Sequence, residues 1–274
     1  MSFEPDSADQ IRCVPWHPKY RQGVLDLLSG VPYKDALWHW EFESNPFGKP
    51  FSPVLIIDAE DRVVGFNGVM PIEATEKGCP IDVLWSCDFH VASNWRGHGL
   101  GSRIKAELNR KASIIMAFGI SDQASLILRH LGWRPGSSVR NYRLQRQRNS
   151  WKDWAFTALQ CVNRLYGSMA SSSWEGTIAV HSRLPEAEQV DRLWARVEAG
   201  YPRVIRRSHA YLAWKYQNHP LGRYAFVSAW EGNNLAGLFV VRYQKQTLRI
   251  IDYSGPAKNT GLKRALIRHT RQHW

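Results

Sequence analysis

Six consecutive residues between a predicted strand and a predicted helix form the segment best suited to bind a ligand. They are Arg96, Gly97, His98, Gly99, Leu100 and Gly101. Glycine lets a backbone approach a ligand closely, and free amides at a helix N-terminus attract anions with help from the helix dipole. Arg96 would add charge-assisted hydrogen bonds. The segment therefore predicts a phosphate or pyrophosphate site.

Two other glycine-rich phosphate loops do not fit this segment. A Walker loop ends in Gly-Lys-Ser or Gly-Lys-Thr, and that ending is absent here. A dinucleotide loop of pattern G-x-G-x-x-G would need a glycine at Ser102 or at Ile104, depending on where it starts. The pattern R-x-x-G-x-G fits the chain once, at Arg96 to Gly101.

The strand before this segment carries two side chains that could handle a proton. Asp88 and His90 are expected on one strand face, because side chains alternate with a period of two. His90 would act as a base near neutral pH, and Asp88 would orient it or bind an acceptor amine. Both also have a purely structural interpretation, His90 as a satisfied histidine and Asp88 as a cap. His98 is expected to lie beside the phosphate or to be exposed.

Hydrophobic periodicity predicts the elements that position these residues. We predict strands at 11–14, 54–58, 63–70, 81–91 and 113–120. We predict helices at 18–28, 99–112 and 122–131. The last strand is apolar throughout, which is typical of a strand buried on both faces. This alternation indicates an α/β (α+β) fold, with a mixed central sheet flanked by helices and at least one parallel strand pair.

Several motifs in order resemble those of the GNAT acyltransferase family. Phe89-His90-Val91 followed by Trp95-Arg96-Gly97 resembles the central strand and acyl-CoA loop of that family. Downstream, Ser121-Asp122-Gln123-Ala124 and Leu131-Gly132-Trp133 resemble its next strand end and its closing signature. The resemblance covers roughly residues 11 to 145 of one GNAT domain, and the whole chain resembles a tandem GNAT protein.

The resemblance implies an acyl transfer with acetyl-CoA, or another acyl-CoA, as co-substrate. Loop amides would hold the CoA pyrophosphate, and the main chain of the preceding strand would pair with the pantetheine arm. The implied cofactor-binding residues are Phe89, Val91, Arg96, Gly97, His98, Gly99, Leu100, Gly101 and Ser102. The thioester would lie where that strand and the next one splay apart. An amine acceptor, such as a sugar or small-molecule amine, would attack directly, without an acyl-enzyme.

The sequence departs from the family pattern at two acid–base positions. Many GNAT enzymes carry a tyrosine general acid where this chain has Leu128, and a glutamate early on the central strand where it has Trp85. The acid–base apparatus is therefore replaced or lost. A non-catalytic CoA-binding protein stays open as an alternative.

The chain also contains an internal repeat. Residues 40–48 align with residues 214–222 in the pattern W-x-[FY]-x-x-x-P-x-G, and Asp88-Phe89 aligns with Asp252-Tyr253. The glycine loop has no equivalent in the second copy. We therefore predict a GNAT domain at 1–149, an amphipathic helical linker at 150–176, and a degenerate or incomplete GNAT-like domain at 177–274.

The chain is basic, with 36 Lys and Arg against 24 Asp and Glu and a formal charge of +12. A basic protein attracts nucleic acid, anionic membrane surfaces or phosphorylated ligands. Among these partners, nucleic acid is the weaker prediction. It belongs to an alternative function, that of a Fem-type aminoacyl-tRNA-dependent transferase, which also has two GNAT-like halves. The predicted helix at 150–169 would connect domains or lie on a membrane surface.

Composition constrains the remaining function classes. No apolar run is long enough to span a membrane, and the N-terminus lacks the features of a secretory signal. We therefore expect a cytoplasmic location and reduced cysteines. The ten histidines show no HExxH or Cys–His ligand spacing, so we predict no metal.

Overall fold

The computed structural model of the chain describes residues 11–48, 52–136, 174–244 and 247–274. These residues form two compact units. The first contains 11–48, 52–136 and Pro202–Arg206, and the second contains 174–201 and the described residues from Arg207 onward. The predicted helix at 150–169 lies outside the described residues.

Ten strands are assigned within the described ranges. They are β1 Arg12–Val14, β2 Val54–Ile57, β3 Val63–Glu76, β4 Cys79–Val91, β5 Ile114–Ala117, β6 Thr177–His181, β7 Arg203–Ile205, β8 Ala225–Glu231, β9 Asn234–Gln244 and β10 Thr247–Ser254. The first unit holds a six-stranded sheet of order β1-β2-β3-β4-β5, with β7 paired to β3. The second holds a four-stranded sheet of order β10-β9-β8-β6.

The helices cover both faces of the first sheet and lie against the second. They are α1 Arg21–Leu27, α2 Lys34–Trp38, α3 Leu100–Asn109, α4 Asp122–His130, α5 Ala187–Val197, α6 His209–Leu212 and α7 Thr260–His273. Helix α2 continues into a π-helical turn at His39–Glu43, and α6 continues into one at Ala213–Gln217. Short 3-10 turns lie at Pro18–Tyr20, Ser93–Trp95 and Glu198–Gly200.

Helix α3 is held on the first sheet by apolar side chains spaced four residues apart. Leu100, Ile104 and Leu108 are buried and pack on Val54 and Val64 of β2 and β3. Each such side chain stabilises the fold by about 1.5–3 kcal/mol when removed from water. This packing fixes the start of α3 at the end of β4, where the predicted anion site lies.

The opposite face of the sheet is covered by aromatic residues of α2 and its π-helical turn. The ring of Trp38 lies 4.9 Å from that of Phe42 and 6.3 Å from that of Phe66 on β3. All three side chains are buried. The Phe42 ring also passes close to Gly68 on β3, so the sheet accepts this turn only where a side chain is missing.

Most predicted elements occur within a few residues of their predicted limits, but the prediction for the last strand of the first unit was wrong. We expected a strand at 113–120 buried on both faces, whereas β5 covers Ile114–Ala117 and is half-buried throughout. Phe118 is 57% exposed. Among the described residues β5 pairs only with β4, so its other edge lacks the cover that full burial requires.

The structure adds two observations, one on membrane-spanning helices and one on clusters of metal-ligating side chains. Among the residues it describes, no helix combines the length and apolar character needed to cross a bilayer. Within those same ranges, no three metal-ligating side chains come together.

Replacing Gly68 with alanine is expected to destabilise the first unit. A Cβ atom there would lie 2.7 Å from Cζ of Phe42 and 3.1 Å from Sγ of Cys87, and overpacking of this kind costs about 1–3 kcal/mol. Urea denaturation of Gly68→Ala beside Gly30→Ala checks this, because a Cβ at Gly30 meets nothing within 4 Å. Equal free energies of unfolding in the two variants would contradict the packing described here.

Candidate active site

The predicted anion segment forms the turn from β4 into α3. Gly97 and Gly99 have φ of +85° and +77°, a left-handed conformation that glycine adopts without strain. A Cβ on either would meet nothing within 4 Å, so backbone conformation, and not crowding, requires glycine here. The same open space leaves the main chain of the turn accessible to a ligand.

The N-terminus of α3 carries amides without partners in their own helix. Gly99 is the N-cap residue and supplies no side-chain hydrogen bond. The first intrahelical bond runs from Arg103 N to Gly99 O at 3.1 Å. The amides of Leu100, Gly101 and Ser102 therefore point out of the helix end, where the helix dipole is positive. This arrangement suits a pyrophosphate.

Gly101 brings α3 close to its neighbours. A Cβ added there would lie 3.2 Å from Cζ of Phe89 on β4 and 3.3 Å from Cδ1 of Ile127 on α4. A larger side chain would push the helix away from the end of β4. The three glycines thus serve two purposes, since two set the turn and one sets the packing distance.

Strands β4 and β5 separate at the place where the pantetheine arm implied by the resemblance would enter. Their parallel pairing runs from Val83 opposite Ile114 to Ser86 opposite Ala117, and then stops. Strand β4 continues five residues further, to Val91, still paired with β3. Its edge facing away from β3 is consequently open from Cys87 to Val91 within the described residues.

The alternating direction of main-chain hydrogen bonds along β4 shows which groups face this open edge. The Ala92 amide donates to the Val64 carbonyl at 2.9 Å, on the β3 side. Because successive residues alternate direction, Val91 and Phe89 direct their amides and carbonyls to the open edge. These are the two residues predicted to pair with a pantetheine arm.

Arg96 folds back over the end of β4. Its Nε donates to the Val91 carbonyl at 3.1 Å, and its Nη2 lies 3.3 Å from Nε2 of His90. Partial burial, together with the Arg96 charge, lowers the pKa of His90. The imidazole is therefore neutral near pH 7 and able to accept a proton. His98 is exposed on the turn.

Asp88 lies at a β-bulge, where β4 carries one residue more than β3 between the Phe66 and Gly68 pairings. Its φ is +50°, which is unusual for a residue other than glycine. Its carboxylate forms an ion pair with the buried amine of Lys34, which also pairs with Glu41. Asp88 is thus committed to a buried charge cluster, whereas the described polar contact of His90 is with Arg96.

The charge cluster holds two carboxylates and one lysine. Burial, followed by the charge of Asp88, raises the pKa of Glu41 to about 7 even though Lys34 is adjacent. One ammonium cannot neutralise both acids, so the cluster takes up a proton near neutral pH. Sequence reasoning missed Lys34 and Glu41, although Glu41 lies inside the repeated Trp40 to Gly48 pattern.

The two positions where a family acid or base was expected hold apolar side chains. Leu128 on α4 is 3% exposed and lies in the core. The ring of Trp85 packs against that of Phe118 with centroids 5.5 Å apart. Neither can transfer a proton.

The second unit has the same order of elements but a different helix start. Asp252 again lies at a bulge, where it pairs with Arg207 and accepts a hydrogen bond of 2.8 Å from the Tyr216 hydroxyl. Helix α7, the counterpart of α3, is capped by the side chain of Asn259, which accepts from the Leu262 amide at 2.9 Å. One amide of its first turn is therefore already bonded within the protein.

Comparison with known proteins rests on structure alone, because no known protein family and no curated protein sequence matches this chain. A conserved protein of unknown function from Enterococcus faecalis V583, described as a probable N-acyltransferase, matches with a TM-score of 0.63 and 11% identity. The match covers 95% of this chain and 62% of that one.

Two further solved structures match over most of this chain. A GCN5-related N-acetyltransferase from Kribbella flavida has a TM-score of 0.56 and 13% identity, over 94% of this chain and 61% of its own. N-myristoyltransferase from Saccharomyces cerevisiae, with bound myristoyl-CoA, has a TM-score of 0.50 and 12% identity, over 96% and 71%.

These likenesses show the fold, which is that of the GNAT N-acetyltransferases. The mixed central sheet flanked by helices is confirmed. The three neighbours are named as acyl- or acetyltransferases, and this chain spans 62% of the length of the first.

The charge cluster makes a testable contribution to pH-dependent stability. The pKa of Glu41 is about 7 in the folded state, against an ordinary value of 4.5. At a pH between these two values, the folded state keeps a proton on Glu41 that the unfolded chain has released. The free energy of unfolding of the wild type should therefore fall, relative to Glu41→Gln, by roughly 1–3 kcal/mol as pH rises through this range. Urea titrations at pH 5 and pH 8 measure the difference.

The comparison for this experiment is Glu60→Gln, in the turn between β2 and β3. Glu60 has an exposed side chain, and its ion-pair partner Arg62 stays charged throughout this pH range, so its variant reports the substitution without the burial. A stability difference for Glu41→Gln that stays constant with pH would contradict the assignment of the proton.

Proposed function

We propose that this chain is an acyltransferase that moves an acetyl or other acyl group from acyl-CoA to an amine acceptor by direct attack. The observation that carries the proposal is the continuity between the open edge of β4 and the uncapped N-terminus of α3. A strand edge offers main-chain pairing for an extended amide-containing arm, and the helix end offers an anion site. Acyl-CoA joins an amide-containing arm to a pyrophosphate.

The cofactor-binding roles divide between backbone and side chain. The amides from Gly97 to Ser102 would hold the pyrophosphate, with His98 beside it. The main-chain groups of Phe89 and Val91 would pair with the arm. Arg96 already occupies the Val91 carbonyl, so it would either share that oxygen or turn toward the phosphates when the arm binds.

His90 is the group we assign as the base. The acceptor nitrogen would attack the thioester carbonyl carbon, a C–N bond would form, and the C–S bond would break. The imidazole, kept neutral by burial and by Arg96, would take the proton released by the amine. Asp88 would hold the bulge that places His90 at the edge, because its carboxylate is already paired with Lys34.

We infer that the second unit derives from the first by duplication and supports it without binding cofactor. The repeated π-helical turns, the shared order of elements and the paired aspartates at bulges support this inference. The Asn259 cap on α7 argues against a second pyrophosphate site, since its oxygen already bonds an amide that an anion would need.

Two alternatives have specific support. Apolar residues at Trp85 and Leu128 favour a CoA-binding protein without turnover. The charge of +12 favours a Fem-type transferase that uses aminoacyl-tRNA. Affinity for acetyl-CoA without acyl transfer to any amine would select the first, and salt-sensitive RNA binding without acetyl-CoA affinity would select the second.

Gly99→Glu should abolish binding of acetyl-CoA. The new side chain places bulk and negative charge on the helix end that would hold the pyrophosphate. Isothermal titration calorimetry of both proteins with acetyl-CoA measures the loss, with micromolar affinity expected for the wild type.

Gly78→Glu is a matched control for this experiment. Gly78 has φ of +82° and open space around it, as Gly99 has, but it lies in the β3–β4 turn. The two variants should lose similar stability, and Gly78→Glu should keep its affinity. If the wild type binds no acetyl-CoA, or if both variants bind equally, the site is wrongly assigned.

His90→Gln should slow transfer to an amine found by screening by about 10²–10⁴-fold, the usual contribution of a general base. Affinity for acetyl-CoA should stay unchanged. In the wild type, the acid limb of the pH–rate profile should give an apparent pKa below the ordinary value for histidine, because the pKa of His90 is lowered. Release of free thiol over a pH series measures both effects, and an unchanged profile in the variant would exclude His90 as the base.

A further inference from the structure

Lys105 on α3 is a buried amine that the proposed mechanism has not used. Its side chain is 2% exposed. Its Nζ donates to Oδ1 of Asn67 at 2.6 Å and to Oγ of Ser86 at 3.2 Å, and it lies 4.3 Å from the centre of the Phe89 ring. Both hydrogen-bond partners are themselves buried. The amine is thus fixed in position by neutral groups on β3 and β4.

The charge of Lys105 has no carboxylate partner among the described residues. The one titratable neighbour that influences it is the Cys87 thiol of β4, and desolvation raises the pKa of that thiol. Lys34 shows the contrasting case, since it is equally buried but pairs with two carboxylates. An uncompensated buried charge is costly, and here burial lowers the pKa of Lys105 to about 8.

The amine lies at the closed end of the gap between β4 and β5. Ser86, which accepts a hydrogen bond from Lys105, is the last β4 residue paired with β5. From Val91 back to Cys87, the open edge of β4 extends roughly 13 Å. An arm that starts at the α3 N-terminus and follows this edge would bring its far end toward Ser86.

Helix geometry connects the same two points. Gly101 and Lys105 are four residues apart on α3, so they share a helix face and lie about 6 Å apart along its axis. Both contact Phe89, since a Cβ at Gly101 would lie 3.2 Å from that ring. The anion site and the buried amine therefore occupy successive turns of one helix face directed at β4.

We propose that Lys105 is a catalytic residue that protonates the CoA thiolate as it leaves. This inference rests on the proposed function. As the acceptor nitrogen bonds to the carbonyl carbon, the C–S bond breaks and its electron pair passes to sulfur. A proton moves from Nζ of Lys105 to that sulfur, giving CoA thiol and a neutral amine. The proton of the acceptor goes to His90, which releases it to solvent, and once CoA has left, water entering the gap returns a proton to Nζ.

Physical chemistry favours a lysine in this role. A fixed positive charge in a dry site stabilises an anion that develops in the transition state. A thiol has an ordinary pKa of about 8.5, close to the value for Lys105, and proton transfer is efficient between groups of matched acidity. A carboxylate partner would neutralise the charge and remove this advantage.

The test needs no acceptor. The probe is CoA itself, bound to the protein, and its thiol is titrated by the ultraviolet absorbance of the thiolate. The complex with desulfo-CoA, which lacks the sulfur, is the reference that subtracts the protein's own cysteines. The proteins are the wild type, Lys105→Met and Lys111→Met, where Lys111 is a lysine just beyond α3 that bonds the Ser52 hydroxyl.

In the wild type, the ammonium should lower the pKa of the bound CoA thiol by about one unit, a tenfold change in thiolate fraction at fixed pH. Lys105→Met should return the thiol to its value in free CoA, and Lys111→Met should behave as the wild type. Methionine keeps the unbranched chain, and Asn67 and Ser86 still bond each other at 3.1 Å. If Lys105→Met does not fold, the variant Lys105→Gln is used in its place.

The outcomes separate this inference from the function on which it depends. If neither CoA nor desulfo-CoA binds the wild type, the proposed function fails, and the role of Lys105 fails with it. If both bind but the thiol titrates identically in the wild type and in Lys105→Met, the CoA site of the proposed function stands and Lys105 is a structural residue.

Discussion

The parting of β4 from β5 after Ser86 is the constraint on which the rest of the site depends. Parallel pairing satisfies main-chain groups up to that residue, and in the described part of the chain it leaves those of the next five without a strand partner on that side. Buried polar groups without a partner cost about 1–3 kcal/mol each, so this edge needs water or a ligand. The glycine turn, the start of α3 and the bulge at Asp88 are all placed relative to this opening.

Two buried lysines show how the fold makes different chemistry from one residue type. Lys34 lies on the α2 face of the sheet, where two carboxylates surround it and hold its proton. Lys105 lies on the α3 face among amide, hydroxyl and aromatic groups, where its proton is held less firmly. The lysine that is paired with carboxylates and the lysine that is held by neutral groups therefore lie on opposite faces of the sheet.

The sequence predicts well what depends on neighbouring residues. Periodicity located β4, α3 and α4, and the glycines located the turn, since a positive φ at Gly97 and Gly99 has a local cause. Contacts between distant residues were missed. Lys34 and Asp88 are 54 positions apart, and no local pattern indicates their pairing. Lys105 is an ordinary residue of an amphipathic helix until the positions of β3 and β4 are known, and the edge position of β5 likewise depends on its neighbours.

The starts of α3 and α7 differ in whether a side chain caps the helix. Asn259 accepts a hydrogen bond from the Leu262 amide of α7 with its own side-chain oxygen, and such a cap stabilises a helix by about 1 kcal/mol. Gly99 supplies no such bond to α3. If the two units share an ancestor, the change at this helix start exchanges amides open to a ligand for a bond within the protein. A helix whose end is bonded from within is stable without a ligand, so selection for ligand binding need not maintain it.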